Sequence, residues 1–312
     1  MKYTLKKLTS MLITLFVVSF LVFAAFALIP GDPARRMAGM EGTPEQIAAI
    51  RARLGLDAPL VLRYFRWIGG LLKGDLGQSY IYPDSVWSLL SSTLPVTAAL
   101  AVIAFFFTML LSFPVGVYSA KYENSLPDRV LTVLNQVIMA VPPFLTGVLF
   151  SAFFGMVLHW FTPGAYVPFS KSAGGFFAYL LLPAFCIALP KAAMATKMLR
   201  ASMLEESLSD YARTAYSRGN TVDGVMYGHL LKNASLPVVT FLGMSLTDML
   251  IGSIVVEKIF DIPGLSSVLV NSISNRDYPV VQAAILLIAI IIMVVNLLTD
   301  LLYRLLDPRI EA

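Results

Sequence analysis

Residues 280–303 read VVQAAILLIAIIIMVVNLLTDLLY, a run in which Asp300 is the only charged residue. A helix of roughly 20 mostly apolar residues is long enough to cross the hydrocarbon core of a bilayer. Lipid offers no partners for backbone N–H and C=O groups, so a spanning segment must be a helix or belong to a closed barrel. The run is continuous and does not alternate in short segments as a barrel strand does, which selects the helix. Working outward from it, residues 8–29, 94–120, 130–158, 176–198 and 238–256 have the same character. The expected fold is an all-α integral membrane protein with about six transmembrane helices.

Composition agrees. The 312 residues are 57% hydrophobic and 13% charged, against about 25% charged in ordinary globular domains. The net charge of +4 is mild for a nucleic-acid binder, so no nucleic-acid partner is expected. The lone cysteine, Cys186, lies in an apolar run, which excludes a disulfide framework and a thiol-rich metal cluster. His159 and His229 are too few for a histidine-based metal site and are read as structural. No G-x-x-x-x-G-K-[ST] loop occurs, and Gly69-Gly70-Leu71-Leu72-Lys73-Gly74 has its lysine in the wrong place for a phosphate cradle. H-E-x-x-H and G-x-S-x-G are also absent.

Lysine and arginine in short loops set orientation. Lys2, Lys6 and Lys7 precede the first span; Lys191, Lys197, Arg200, Arg213, Arg218 and Lys232 surround the segment between the fourth and fifth. Lys171 follows the third span, and Lys258 and Arg276 follow the fifth. The N-terminus, the 2–3 and 4–5 loops and the C-terminus are therefore expected in the cytoplasm. The basic start and Ala25-Phe26-Ala27 also have the outline of a signal peptide, but the apolar stretch is long for one. Residues 1–29 are read as the first helix and 30–93 as an external subdomain with seven basic and six acidic residues. Residues 94–303 form a five-helix domain, and 304–312 a cytoplasmic tail. Inside the subdomain, Thr43-Pro44-Glu45 starts a helix that runs to Leu54 and ends at Gly55. Pro142-Pro143, Pro183 and Pro190 interrupt backbone bonding and are expected to kink spans three and four, although proline is common in membrane helices.

The loop 204–237 is patterned although it does not span lipid. Leu204, Leu208, Tyr211, Ala212 and Ala215 recur at helical spacing, with Glu205, Glu206, Asp210, Arg213 and Arg218 on the other sides. Gly219 is placed to end this helix in the left-handed conformation. Thr221 caps a second helix with Asp223 in its first turn, and Val222, Val225, Met226, His229 and Leu230 give it an apolar face. Such an element either packs under its own bundle or docks into a partner.

Asp210-Tyr211-Ala212-Arg213-Thr214-Ala215-Tyr216-Ser217-Arg218-Gly219, followed by Asn233-Ala234-Ser235-Leu236-Pro237, resembles the cytoplasmic signature of binding-protein-dependent ABC importer permeases. Four other stretches agree with the dipeptide/oligopeptide/nickel branch, in the partner with a large first external loop. They are Ile29-Pro30-Gly31-Asp32-Pro33; Leu54-Gly55-Leu56-Asp57 with Gly74-Asp75-Leu76-Gly77; Glu257-Lys258-Ile259-Phe260 through Pro263-Gly264-Leu265; and Arg276-Asp277-Tyr278-Pro279-Val280-Val281-Gln282 with Asp300-Leu301-Leu302-Tyr303 and Asp307-Pro308-Arg309-Ile310. One departure is that Leu236-Pro237 lies farther from Gly219 than in the general signature, which is the peptide/nickel branch's own variant.

The resemblance implies a type I ABC importer permease in a prokaryotic plasma (inner) membrane, in contact with lipid. It forms half of a path for short peptides or a nickel or metal chelate delivered by an external substrate-binding protein. The implied partners are a homologous second permease and two ABC ATPase subunits. Those subunits bind ATP and Mg; the chain itself holds no cofactor and is not an enzyme. Glu206, Asp210, Tyr211, Arg213, Thr214, Ala215, Arg218 and Gly219 are implied as the ATPase-coupling residues, with Glu206, Arg213 and Arg218 making polar contacts and Tyr211 and Ala215 on the buried face. An ATP-independent channel or a membrane enzyme is the alternative, separable by whether an ATPase co-purifies. Asp248, well inside the apolar fifth span, either meets a cationic substrate or bonds to another span or the sister subunit.

Overall fold

The computed structural model describes residues 2–28, 32–39 and 41–306. Ile29, Pro30 and Gly31 of one family stretch, and the tail stretch Asp307-Pro308-Arg309-Ile310, lie outside the described residues. Among those described, five helices are long and apolar enough to cross a membrane, or six if one bent pair counts as a span. The chain divides into two compact units.

The first unit comprises residues 1–95 and 263–294. It holds α1 (Lys2–Leu28), α2 (Pro33–Ala38), α3 (Pro44–Arg53), α4 (Leu60–Leu72), the start of α5 (Val86–Lys121), α13 (Leu265–Asn275) and most of α14 (Tyr278–Leu306). Thr43 caps α3 as expected: its hydroxyl accepts from Gln46 N–H while the Gln46 side chain accepts from Thr43 N–H. Gly55, at φ +64°, closes that helix. Val86 and Leu90 of α5, Leu265 of α13, and Val280, Ala283 and Ala284 of α14 form the core of this unit.

Stretches of this unit that carry the family resemblance are joints. Asp32 accepts from Ala34 N–H at the start of α2 and from Arg51 Nη1 at 2.8 Å, while Arg51 Nε reaches Asp57 at 3.2 Å. One arginine thus ties Asp32-Pro33 to the Leu54–Asp57 stretch. Asp277 is fully buried and accepts from the Ser79 hydroxyl and from Tyr80 N–H, which fastens the 73–85 loop to the start of α14. A buried carboxylate satisfied by two donors is a stable clamp.

The second unit comprises residues 96–262 and 295–312. It contains the rest of α5, then α6 (Leu126–Ala140), α7 (Pro143–Phe150) continued by a π-helical stretch, Ser151–Val157, and α8 (Ala173–Ser207). Next come α9 (Asp210–Ser217), α10 (Val222–Val225), a π-helical turn, Met226–Leu230, α11 (Leu231–Ala234) and α12 (Leu236–Ile259). Leu100 and Ala104 of α5, Leu180, Ala184, Ile187 and Ala188 of α8, and Met249 and Val256 of α12 share one core with Phe260 and Ile262. Gly243 lets α12 approach α14 closely: a Cβ there would lie 2.3 Å from Thr299 Cγ2.

Two expectations about proline meet different outcomes. The third apolar stretch is not one kinked helix but α6 and α7 bent through 100°. Val141 and Pro142 each precede a proline, and both are extended, at ψ 121° and 143°. Two consecutive pre-proline residues excluded from the helical region turn a kink into a corner. Pro183 and Pro190 lie singly within α8, which runs through both.

Candidate functional site

The loop between α8 and α12 is the patterned segment, and its helices fall differently from the sequence expectation. α8 carries Leu204 and ends at Ser207; Leu208 is exposed, and Ser209 precedes α9. Only Ala212 and Ala215 of α9 are buried, against Leu199 and Met203 of α8. Tyr211 is 37% exposed in the chain alone. Its hydroxyl donates to Glu206 Oε2 at the end of α8 and accepts from Asn233 Nδ2 at 3.2 Å in α11. One tyrosine therefore links the segments on both sides of the loop.

The outward side of α9 is polar. Asp210 and Arg213 stand 4.0 Å apart, the Asp210 side chain fully exposed and that of Arg213 73% exposed, too open to pair firmly. Thr214 donates its hydroxyl back to the Asp210 carbonyl, and Arg218 is exposed. Gly219 adopts φ +83°, and Asn220 Nδ2 donates to the Ala215 carbonyl, closing the helix end. Thr221 caps α10 by accepting from Gly224 N–H, and Asp223 binds Lys121 at the end of α5.

The second helix departs from the expected face. Val225, Met226, Leu230 and Ala234 are buried, while Val222 and His229 are exposed. A π-helical turn bonds i to i+5 and so is wider than an α-turn. Residues spaced for an α-helix fall out of line across it, which turns His229 outward.

Below this element, Arg200 of α8 grips Asp128 at the start of α6 with two bonds, Nε to Oδ1 at 2.8 Å and Nη2 to Oδ2 at 2.7 Å. The Ser119 hydroxyl and Asn124 N–H also donate to this carboxylate, whose side chain is 3% exposed. The two partners are 72 residues apart in the chain, and the sequence reading did not join them.

Asp248 of α12 is paired with Lys191 of α8 at 2.6 Å. Its side chain remains 58% exposed, so the ion pair faces outward from the unit. A second carboxylate, Glu257, escaped the sequence reading as a buried acid: it is fully buried in α12 and accepts from the Thr97 hydroxyl at 2.7 Å. The signal lay in its setting within the Glu257-Lys258-Ile259-Phe260 stretch at the end of an apolar span.

Several helices long and apolar enough to cross a membrane make this a multi-pass membrane protein, and comparison with known proteins gives its family. Residues 112–312 match the family described as binding-protein-dependent transport system inner membrane component, and residues 1–101 match the N-terminal family of the same components. The chain is 33% identical over 309 residues, 99% of each chain, to "Probable peptide ABC transporter permease protein" of Sinorhizobium fredii. It is 35% identical over 312 residues, 100% of this chain and 99% of the other, to the glutathione transport system permease protein of Salmonella paratyphi A. An inward-facing MetNI methionine ABC transporter structure aligns with TM-score 0.58 and 15% identity, covering 70% of this chain and 96% of that one. An amino acid ABC transporter crystallised with histidines aligns with TM-score 0.51 and 18% identity, over 70% of this chain and 94% of that one. The chain belongs to the family of binding-protein-dependent ABC transport permeases, in its dipeptide/oligopeptide branch, and has the type I importer fold.

Proposed function

We propose that this permease forms half of an import path for short peptides in a bacterial inner membrane, driven through α9 by a separate ATPase subunit. The observation that carries the reading is the shape of the 204–237 loop. Ala212 and Ala215 seat α9 on the bundle, while Asp210, Arg213, Thr214 and Arg218 point outward with little internal bonding. A short helix seated by two alanines and pinned through Tyr211 to both neighbouring segments suits a lever. Peptide cargo is supported by the relatives named for peptide and glutathione transport. The full complex in this proposal has a second, homologous permease, two ATPase subunits that bind ATP and Mg, and an external binding protein over residues 30–93.

The Lys191–Asp248 pair supports the half-path reading. An exposed ion pair on two apolar spans is costly against hydrocarbon, so that face belongs against water or another protein. A nickel or metal-chelate cargo is the second reading, resting on Asp248 as a contact for a cation. It is the weaker of the two, because the carboxylate already has a cationic partner.

Gly219→Val tests the lever. The residue sits at φ +83° with open space where a Cβ would go, so the substitution strains the backbone without a clash. That strain is about 1–2 kcal/mol and falls on the α9 end rather than on the core. Uptake of a labelled dipeptide and its coupling to ATP hydrolysis should fall sharply while the complex assembles, and Gly219→Asn, which tolerates this conformation, should retain most activity. Normal uptake by the valine variant would show that α9 does not transmit the ATPase movement.

A further inference from the structure

The first unit holds a half-open cavity of about 500 Å³ that none of the transport machinery above uses. Its charged lining residues are Asp32, Arg51, Arg63 and Arg66. Asp32 and Arg51 are bonded to each other, and Arg51 is also held by Asp57. Arg63 and Arg66 form no ion pair among the described residues, and the nearby Asp277 is taken by Ser79 and Tyr80. Two further polar atoms in the lining, Trp67 Nε1 and Tyr278 Oη, are buried without a hydrogen-bond partner. Burial holds the Tyr80 phenol up at about 12, so it too keeps its proton. The cavity therefore has surplus donors and two uncommitted guanidinium groups, the complement of an anion with several acceptor oxygens.

The surroundings identify which anion. Tyr64 of α4 packs edge-on against Phe16, Phe20 and Phe23 of α1, with its hydroxyl 2.9 Å from Ser19 Oγ, so α4 lies along the second half of an apolar span, Lys6–Leu28. Arg63, Arg66 and Trp67 share one side of α4, while Val61, Phe65 and Leu72 occupy the opposite side and are exposed. A helix with arginine and tryptophan on one face and bare apolar residues on the other belongs in the plane of the membrane interface, at the depth of lipid phosphates.

We propose that this cavity seats the phosphate of an anionic phospholipid, held by Arg63 and Arg66 with the indole N–H of Trp67 and the Tyr278 hydroxyl. Bound lipid would fix α4 to α1 and fill an otherwise under-bonded space.

Trp67 is the probe. With Trp87 and Trp160, both exposed, and every tryptophan of the partner subunits replaced by phenylalanine, its fluorescence reports bromine on adjacent lipid. The assembled transporter is placed in nanodiscs of mixed phosphatidylglycerol and phosphatidylcholine, with one or the other brominated. Brominated phosphatidylglycerol should quench Trp67 with about fivefold preference for each arginine engaged. Arg63→Gln with Arg66→Gln should reduce the preference to near one, and Arg63→Lys with Arg66→Lys should restore part of it. Equal quenching by the two lipids would overturn the proposal, as would a preference that survives in the double glutamine variant. Displacement of the effect by inorganic phosphate or a free dipeptide would also overturn it, assigning the cavity to a soluble anion. If the glutamine variant fails to assemble, the comparison of the two lipids in the unaltered cavity still decides.

Discussion

Replacing Asp128 with alanine removes the acceptor for four donors at once. Arg200 supplies two bonds at 2.8 and 2.7 Å, Ser119 a hydroxyl and Asn124 a backbone N–H. Breaking a buried ion pair by deleting one partner costs roughly 3–5 kcal/mol, because the remaining charge is stranded. The Arg200 side chain is 25% exposed, so it recovers some hydration, and the low end of that range applies. The stranded Asn124 N–H and Ser119 hydroxyl add about 1 kcal/mol. The expected loss is therefore about 4 kcal/mol, near a thousandfold in the folding equilibrium. Arg200→Ala should cost about 3 kcal/mol, since the carboxylate keeps two donors. The double variant should cost clearly less than the sum, with a coupling energy of about 2 kcal/mol. Denaturant unfolding of the four proteins in detergent, followed by tryptophan fluorescence, measures each value. A coupling below about 0.5 kcal/mol would mean that the pair behaves like a surface salt bridge and does not anchor the end of α8.

Asp248→Leu leaves the Lys191 ammonium without its partner and should lower the yield of assembled complex, with recovery in Asp248→Leu/Lys191→Met. Asp248→Asn should be mild in both yield and dipeptide uptake; selective loss of cationic cargo at normal yield would instead make Asp248 a substrate contact. Gly243→Val forces a side chain into the space of Thr299 Cγ2, 2.3 Å from the ideal Cβ, and should destabilise by about 1–3 kcal/mol. Thr299→Ala should relieve part of that loss, and unchanged thermal stability of Gly243→Val in detergent would refute the close approach.

The spans were legible because lipid permits few solutions for a long apolar run, and residues 280–303 admit only one. Local devices were legible for the same reason of limited choice: Thr43 and Thr221 cap helices, and Gly55 and Gly219 take positive φ, as their residue types require. What could not be read depends on chain distance or on geometry without a composition of its own. Asp128 looks like any loop aspartate until Arg200, 72 residues on, is placed beside it. Pro142-Pro143 announced a disturbance but not a 100° turn, which needs both preceding residues to be extended. The outward His229 depends on a π-helical turn, and its residues Met226–Leu230 carry no mark that separates them from an α-helix. The cavity beside α4 assembles residues from 23 to 282, a spread that no motif covers.

That π-helical turn also gives the loop one residue of slack. A turn that bonds i to i+5 holds one residue more than an α-turn, so a single extra residue between Gly219 and Leu236 is housed there without unseating α9 or moving the start of α12. A widened turn does this by slackening the coil where it occurs. Val225 before the slack and Ala234 after it both still reach the core. The loop thus behaves like a cable with a take-up coil: its two ends hold their stations while the coil between them stores one residue.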